Sequence, residues 1–434
     1  MKLENNLEAL DMSFNTLFGK VPEDWTISKI GDIAELRQGL QIASKKRLQS
    51  QELGSIPLLK ITDLPRKVFS EYVKDIPENY IATKEDIIYT RTGQVGLVYT
   101  DVEGCVHNNC FKVILDYNKF DKKYMYYYLN SPQVREYANI IASGSVQKDL
   151  THKAFKIVKV AYPSLKEQKA IADILSSLDE KIELNNQMNE TLEEMAQALF
   201  KRWFVDFEFP NEEGQPYKSS GGEMIESELG MIPKGWTIEQ IGKISEIQNG
   251  FAFRADEYVE QGIPVLRTLN IKDGIFENTN TVFLPEEYKD SKYSKYIFEK
   301  FDCALVMVGA GIGKIGLILD NTKGGLQNQN MWRFRSLNDA IPQLYLNFLV
   351  KQARDKSKNW GNGSAREFYR KDSFSKINVL VANHTLLKQF NELILQLYNK
   401  ISENVAENEV LVQFRDTLLP KLMSGEIRVS DLKS

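Results

Sequence analysis

The 434-residue chain is predicted to be an α+β protein: two tandem, internally repeated α/β domains separated by two long helices forming an antiparallel coiled coil. Three observations predict this. A segment of the first half returns in the second. Each copy is a run of short apolar segments broken by Gly, Pro and Asn. Each copy is followed by a long stretch whose apolar residues alternate three and four apart.

Pro22-Glu-Asp-Trp25-Thr-Ile-Ser-Lys-Ile30-Gly31 returns as Pro233-Lys-Gly-Trp236-Thr-Ile-Glu-Gln-Ile241-Gly242. Over residues 22–39 and 233–250 nine of eighteen positions are identical at an offset of 211. Ile56-Pro57 matches Ile263-Pro264, Gly93-Gln-Val-Gly96 matches Gly313-Lys-Ile-Gly316, and Gly144-Ser145 matches Gly363-Ser364. Repeats on this scale define architecture before any local reading does. Short strands are expected at 56–61, 86–89, 96–99 and 111–115, answered at 265–269, 305–308, 315–319 and 331–334. Residues 124–137 and 343–356 read as helices.

The central helix is expected over about 166–204. Its seam is Leu175, Leu178, Ile182, Leu192, Ala196, Leu199 and Trp203. The second, over about 385–423, repeats it at an offset of 219: Ile394, Leu397, Ile401, Leu411, Arg415, Leu418 and Leu422. Only Ala196 against Arg415 matches poorly. Both seams carry two asparagines in step, Asn185 and Asn189, then Asn404 and Asn408. A lone stripe would pack on its own domain. Repeating both the stripe and its polar gap favours pairing of the two helices, with the asparagines selecting one register. Residue numbers adding to about 593 would set Asn185 opposite Asn408 and Asn189 opposite Asn404. The domain plan is then an N-terminal extension (1–20), a first domain (21–165), a long helix (166–205), a linker (206–232) that is solvated and turn-rich over 211–222, a second domain (233–384), a second long helix (385–424) and a tail (425–434).

Net charge is −4, which argues against a polyanion partner until it is divided. Residues 21–165 hold 20 Lys and Arg against 17 Asp and Glu, and residues 229–383 hold 21 against 17, whereas 166–228 hold 6 against 15. Two mildly basic blocks alternate with acidic connections, and the local field is what a polyanion meets. Three cysteines cannot make a disulfide framework in a chain this long. No run is apolar and long enough to span a bilayer. The opening residues lack the pattern of a signal peptide, so a cytoplasmic location and no membrane partner are expected.

Catalytic and cofactor motifs are weak. Gly311-Ile-Gly313-Lys-Ile-Gly316 fits a dinucleotide pattern, but a strand rather than a helix should follow it, and a hairpin turn is the simpler reading. Cys105-Val-His107-Asn-Asn-Cys110 lacks the second ligand pair a structural zinc needs, so buried thiols are expected and no metal. No methyltransferase or convincing nuclease cluster is present. The chain is expected to be non-catalytic, with no cofactor of its own.

Further segments carry a resemblance. Glu167-Gln168-Lys-Ala-Ile171-Ala-Asp-Ile174-Leu-Ser-Ser-Leu178-Asp179, Ala198-Leu199-Phe200-Lys-Arg-Trp203-Phe204 and Leu418-Leu419-Pro420-Lys421-Leu422-Met-Ser424-Gly425-Glu426-Ile427, with the repeated Pro-x-x-Trp openings, make the chain resemble the specificity subunit of type I restriction-modification systems over nearly its whole length. Lys388-Gln389 stands where the family has Glu-Gln after the second domain. The resemblance implies that each domain is a target-recognition domain reading one half of a bipartite site in double-stranded DNA. It implies that the helices set the spacer and dock two methyltransferase subunits, which restriction subunits join. S-adenosylmethionine, ATP and Mg²⁺ would belong to those partners.

DNA readers need Lys or Arg for phosphates and Arg, Asn or Gln for base edges. The candidates in the first domain are Lys45, Lys46, Arg47, Arg91, Thr92, Gln94, Asn108, Asn109, Gln147 and Lys148. In the second they are Arg254, Lys314, Gln327, Asn328, Gln329, Asn330, Arg366, Tyr369, Arg370 and Lys371. The competing readings are a coiled-coil adaptor between proteins, without DNA readout, and a nucleotide-dependent enzyme.

Overall fold

The computed structural model describes residues 15–144, 147–277, 280–309, 311–320, 324–357 and 370–430. The chain divides into two compact units, residues 1–183 with 408–434, and residues 184–407. Arg366, Tyr369 and the Gly363-Ser364 repeat lie outside the described residues.

In the first unit one antiparallel sheet runs in the order Ala34–Gln38, Cys110–Leu115, Ile87–Thr90, Val98–Tyr99. A second runs Tyr72–Val73, Ile56–Leu59, Gly104–Val106, Ile81–Ala82, with a parallel pair at its centre. Thr26–Lys29 pairs with Lys159–Tyr162, so the start and end of the domain close on each other. The second unit repeats this plan. Ser245–Asn249, Met331–Ser336, Cys303–Val306 and Ile315–Leu317 form the first sheet, with Ile275–Phe276 and Ile271–Lys272 added at its edge. Val282–Leu284, Ile263–Leu266 and Leu326–Gln327 form the second. Thr237–Gln240 pairs with Asn378–Val381.

The strands Cys110–Leu115 and Met331–Ser336, inside the first sheet of each unit, are buried on both faces over their first four residues. Each also carries one buried cation. Lys112 donates to the Ile81 carbonyl (2.7 Å) and lies 3.5 Å from Asp86. Arg333, at the matching position, donates to the carbonyls of Lys295 and Ile297 and to Glu246, with Asp302 at 4.0 Å. Asp302 is itself buried and takes Arg335 as a second partner. A buried charge survives only when paired and hydrogen-bonded, so each copy keeps both members of the pair.

The stretch 124–137 is two helices, not one: Lys122–Asn130 and Pro132–Ile141. Ser131 caps the second through its hydroxyl, which accepts from Val134 N (3.3 Å), and Pro132 occupies the first turn where no amide donor is needed. The glycine match is also displaced. Tyr89 pairs with Val98 and Leu305 with Ile315, so Gly96 answers Gly313. Both have positive φ, and Arg135 and Arg354 pack against them in turn.

The repeat extends further toward the N-terminus than identity shows. The hairpin Asn15–Thr16 with Gly19–Lys20 is matched by Met224–Ser227 with Gly230–Pro233. In each turn a hydroxyl donates to the glycine carbonyl, Thr16 to Gly19 (3.1 Å) and Ser227 to Gly230 (2.6 Å). Residues 211–222 are turn-rich and mostly exposed, as expected of a linker, but aromatic residues anchor the segment. Phe209 stacks on Tyr217 and on Trp236, with centroids 4.5 and 5.3 Å apart, and Phe207 meets Trp236 edge-on. These rings fix the segment at Trp236, because rings bury large area at small entropic cost.

The long helices are Leu165–Phe204 and His384–Ser424, the latter continuing through Pro420. They pack against each other antiparallel. After the first helix the chain turns at Phe207 onto Trp236. After the second it turns at Gly425 onto Trp25 and Pro22, both turn residues having positive φ. Arg428 then forks onto Asp24 and Glu167, with all four bonds at 2.7–3.0 Å.

Candidate nucleic-acid interface

In the first unit four loops converge. Arg91 N donates to the Asn109 carbonyl (2.8 Å), Gly93 N to that of Lys148 (3.1 Å) and Leu150 N to that of Arg91 (2.9 Å). The Arg91 guanidinium donates to Gln38 Oε1 (2.8 Å) and to both oxygens of Asp149 (2.6 and 2.8 Å), and Thr92 Oγ1 donates to the same carboxylate (2.7 Å). Gln38 in turn donates to the Asn108 carbonyl. Burial would raise the Asp149 pKa, but the bonds from Thr92 and Arg91 outweigh it and hold the carboxyl below its usual range. His152, beside this knot, is pushed down by burial and then by Arg91 and Lys156.

The structure thus brings together Arg91, Thr92, Gln94, Asn108, Asn109, Gln147 and Lys148, which are scattered in sequence. It also divides their roles. Arg91 and Thr92 are bound to Asp149 and hold loops in place. Gln94 and Gln147 are exposed at the loop tips, and Lys148 is exposed with its ammonium on the Asn139 carbonyl. Lys45 and Lys46 project from the short turn Ser44–Lys46. Arg47 turns inward to the Ile42 carbonyl and Glu71. Burial, then Arg47 and Lys60, lower the pKa of His107. Cys105 and Cys110 are buried, which pushes their thiols up to about 11 and about 12. Gln38 and Asp149 were missed by sequence reasoning. Their signal, a carboxylate and an amide at loop ends, is common on any surface.

The second unit uses the same backbone frame. Met307 N donates to the Asn330 carbonyl (3.1 Å) as Arg91 N does to Asn109, and Phe251 N to the Gln327 carbonyl (3.0 Å) as Leu40 N does to Val106. The side chains differ. Met307 stands at the place of Arg91, and Gln329 at that of Asn108. Gln327 is fully buried, with its amide donating to the carbonyls of Gln248 and Met331 (3.0 and 2.8 Å), so it shapes the loop from within. Asn328, Gln329 and Asn330 reach the surface to differing degrees. Arg254 is exposed and paired with Asp256 (3.0 Å), and Lys371 donates to the Ile247 carbonyl. Arg370 and Lys314 are exposed. The glycine segment before Lys314 closes an antiparallel hairpin. Gly313 N and Lys314 N are spent on the carbonyls of Val306 and Gly311, which leaves neither amide for a phosphate.

The helix seam carries the polar contacts that its asparagines demand. Asn404, buried, donates to Asn189 Oδ1 (2.8 Å). Asn185, also buried, donates to Glu407 (2.8 Å), the residue before Asn408. In the first unit Arg415 donates to Asp179 (2.7 Å), which explains an arginine at a seam position. Numbers of the facing residues add to 593 within one in all three pairs.

Two domains of one fold, each presenting a common loop frame with its own polar side chains and each followed in sequence by a long helix, define a tandem-repeat protein. Comparison with known proteins gives the family. The model of the type I restriction modification DNA specificity domain matches residues 22–194 and 233–383. The MjaIX specificity subunit of Methanocaldococcus jannaschii is 28% identical over 96% of each chain. The HindI specificity subunit of Haemophilus influenzae is 25% identical over 82% of this chain and 90% of its own. The crystal structure of the type I S subunit from M. genitalium shares the fold, with a TM-score of 0.55 at 18% identity over 94% of this chain and 98% of its own. The chain belongs to the type I restriction-modification specificity subunits, the non-catalytic DNA-specificity components of those systems.

Proposed function

We propose that each domain reads one half of a bipartite duplex target and that the paired helices set the unread spacer. The same helices dock two methyltransferase subunits, which restriction subunits join. S-adenosylmethionine, ATP and Mg²⁺ work on those partners, in the cytoplasm. The observation that carries this reading is the duplicated loop frame filled with different side chains, Asn108 against Gln329 on the loop and, within the frame that holds it, Arg91 against Met307. Equal frames place the reading residues at equivalent depth, and unequal side chains read unequal sequences.

Docking is supported by apolar residues left uncovered on the helices. Leu184, Met188 and Met195 fall within one face of the central helix at helical spacing, and each is exposed. Val410 and Phe414 do the same on the C-terminal helix. Side chains of this size are usually buried, and a row of them marks a surface for another helix.

The test is a domain exchange. Residues 21–165 are replaced by the same block of a relative, the chain is expressed with its methyltransferase partner, and methylated adenines are mapped. One half-site is expected to change while the other and the spacer stay. A joint change of both half-sites would refute separate reading. A chain that supports no methylation but still binds its partner subunits would favour the adaptor reading.

A further inference from the structure

The two domains do not hold their exposed lysines at the same place. In the first unit Lys45 and Lys46 form the short turn Ser44–Lys46. Its counterpart in the second unit is Ala255–Glu257, so Asp256 and Glu257 stand where the lysines stood. A second short turn shows the reverse exchange. Glu78–Tyr80 in the first unit carries Asn79, and its counterpart Ser294–Tyr296 carries Lys295. The strand register fixes this match, since Ile81 pairs with Cys105 as Ile297 bridges Leu326.

Lys295 does not stand alone. The second unit inserts a longer segment here, bringing Lys292 and an aromatic cluster. Tyr288 and Tyr293 stack at 4.8 Å, and Phe251 meets Tyr293 and Tyr296 at 5.0 and 5.4 Å. Lys292 Nζ lies 5.0 Å from the Tyr293 ring centre and Lys295 Nζ 5.2 Å from that of Tyr296, within cation–π range. Lys289 is paired with Glu286 (2.6 Å). Among the described residues no carboxylate pairs with Lys292 or Lys295, and both are exposed. The platform adjoins the reading loop, because Phe251 bridges Asn328 and Phe298 N donates to the Gly325 carbonyl (3.0 Å).

We propose that Lys292 and Lys295, standing on the Tyr293 and Tyr296 rings, contact the DNA phosphates beside the bases met by residues 328–330. This rests on the second domain being a half-site reader. In the second unit the cations have moved from one turn to its neighbour, and the same backbone of the duplex is met from a different segment. Phosphate contacts position the protein and carry no sequence information.

The test uses the full chain in complex with its methyltransferase partner and a duplex holding the mapped target. Affinity is measured from about 50 to 300 mM salt for the unmodified complex, K292A/K295A and K292R/K295R. For two lost phosphate contacts the slope of log K against log salt falls in magnitude by about 2. The methylated sequence is expected to stay the same, and the arginine variant to keep the slope of the parent. An unchanged slope in the alanine variant would overturn the proposal. So would a changed methylated sequence, which would mean base reading, or an arginine variant as weak as the alanine one, which would mean packing. Should the unmodified complex itself fail to bind the duplex, the half-site reading fails instead, and the comparison between variants is not reached.

Discussion

The Asn189–Asn404 pair allows the seam to be tested by a double-mutant cycle. Asn404 is 1% exposed, and its amide donates to Asn189 across 2.8 Å. Asn404→Leu gains apolar burial and helix propensity, the latter worth about 0.5 kcal/mol. It also leaves Asn189 facing a hydrocarbon, at about 1–3 kcal/mol for a polar group stripped of its partner. Asn189→Leu does the same to the more deeply buried member and is expected to cost more. Replacing both removes the unmet groups together, and such exchanges are near neutral or stabilising. The coupling energy is therefore expected at about 1–2 kcal/mol, in the range seen for contacting residues. The cycle cancels propensity and burial gains common to the single and double variants. Urea unfolding of the four chains measures it, read through the midpoint at constant slope. A coupling within about 0.3 kcal/mol of zero, with all four chains folded, would show that the amides do not support each other.

Two further outcomes follow from buried contacts. Asp302→Ala is expected to destabilise the second unit by about 1–3 kcal/mol, because Arg335 loses one of its two carboxylates and the Glu299 amide loses its acceptor, while Arg333 keeps Glu246 and two carbonyls; amide exchange confined to the second unit reads it, and unchanged protection there would contradict the pairing. The Asp149 carboxyl titrates below its usual range in the folded protein, so its contribution to holding the Arg91 loop is present in full above the ordinary aspartate value near 3.9 and is lost as pH falls through the lowered folded value. Protection of the Leu150 amide, which donates to the Arg91 carbonyl, should follow that fall in the parent and be weak at every pH in Asp149→Asn; identical pH profiles in the two would refute the role.

The duplication, the strands and the helix seam were legible because they are written in local periodicity. The pairing of Asn189 with Asn404 was legible too, since a buried amide needs a partner across the seam. The aromatic anchoring of the linker was not, because Gly and Ser there signal a turn-rich segment while Phe207 and Phe209 meet Trp236, and Tyr217 meets Phe209, only in three dimensions. The break at Ser131-Pro132 was readable from its capping chemistry and was hidden by the helical spacing on either side of it. Among the candidate DNA contacts, sequence chemistry did not separate inward residues from outward ones. Arg47 and Gln327 have the functional groups of DNA readers, yet both point into the fold.

The sequence by itself determined the architecture: two copies of one domain, two helices in one register, and the family. The tertiary structure alone decided which polar side chains hold the loops and which stay available. An arginine satisfies a carbonyl or carboxylate of its own chain as readily as a phosphate, and only the packed positions of Asp149, Glu71 and the Ile42 carbonyl decide between them.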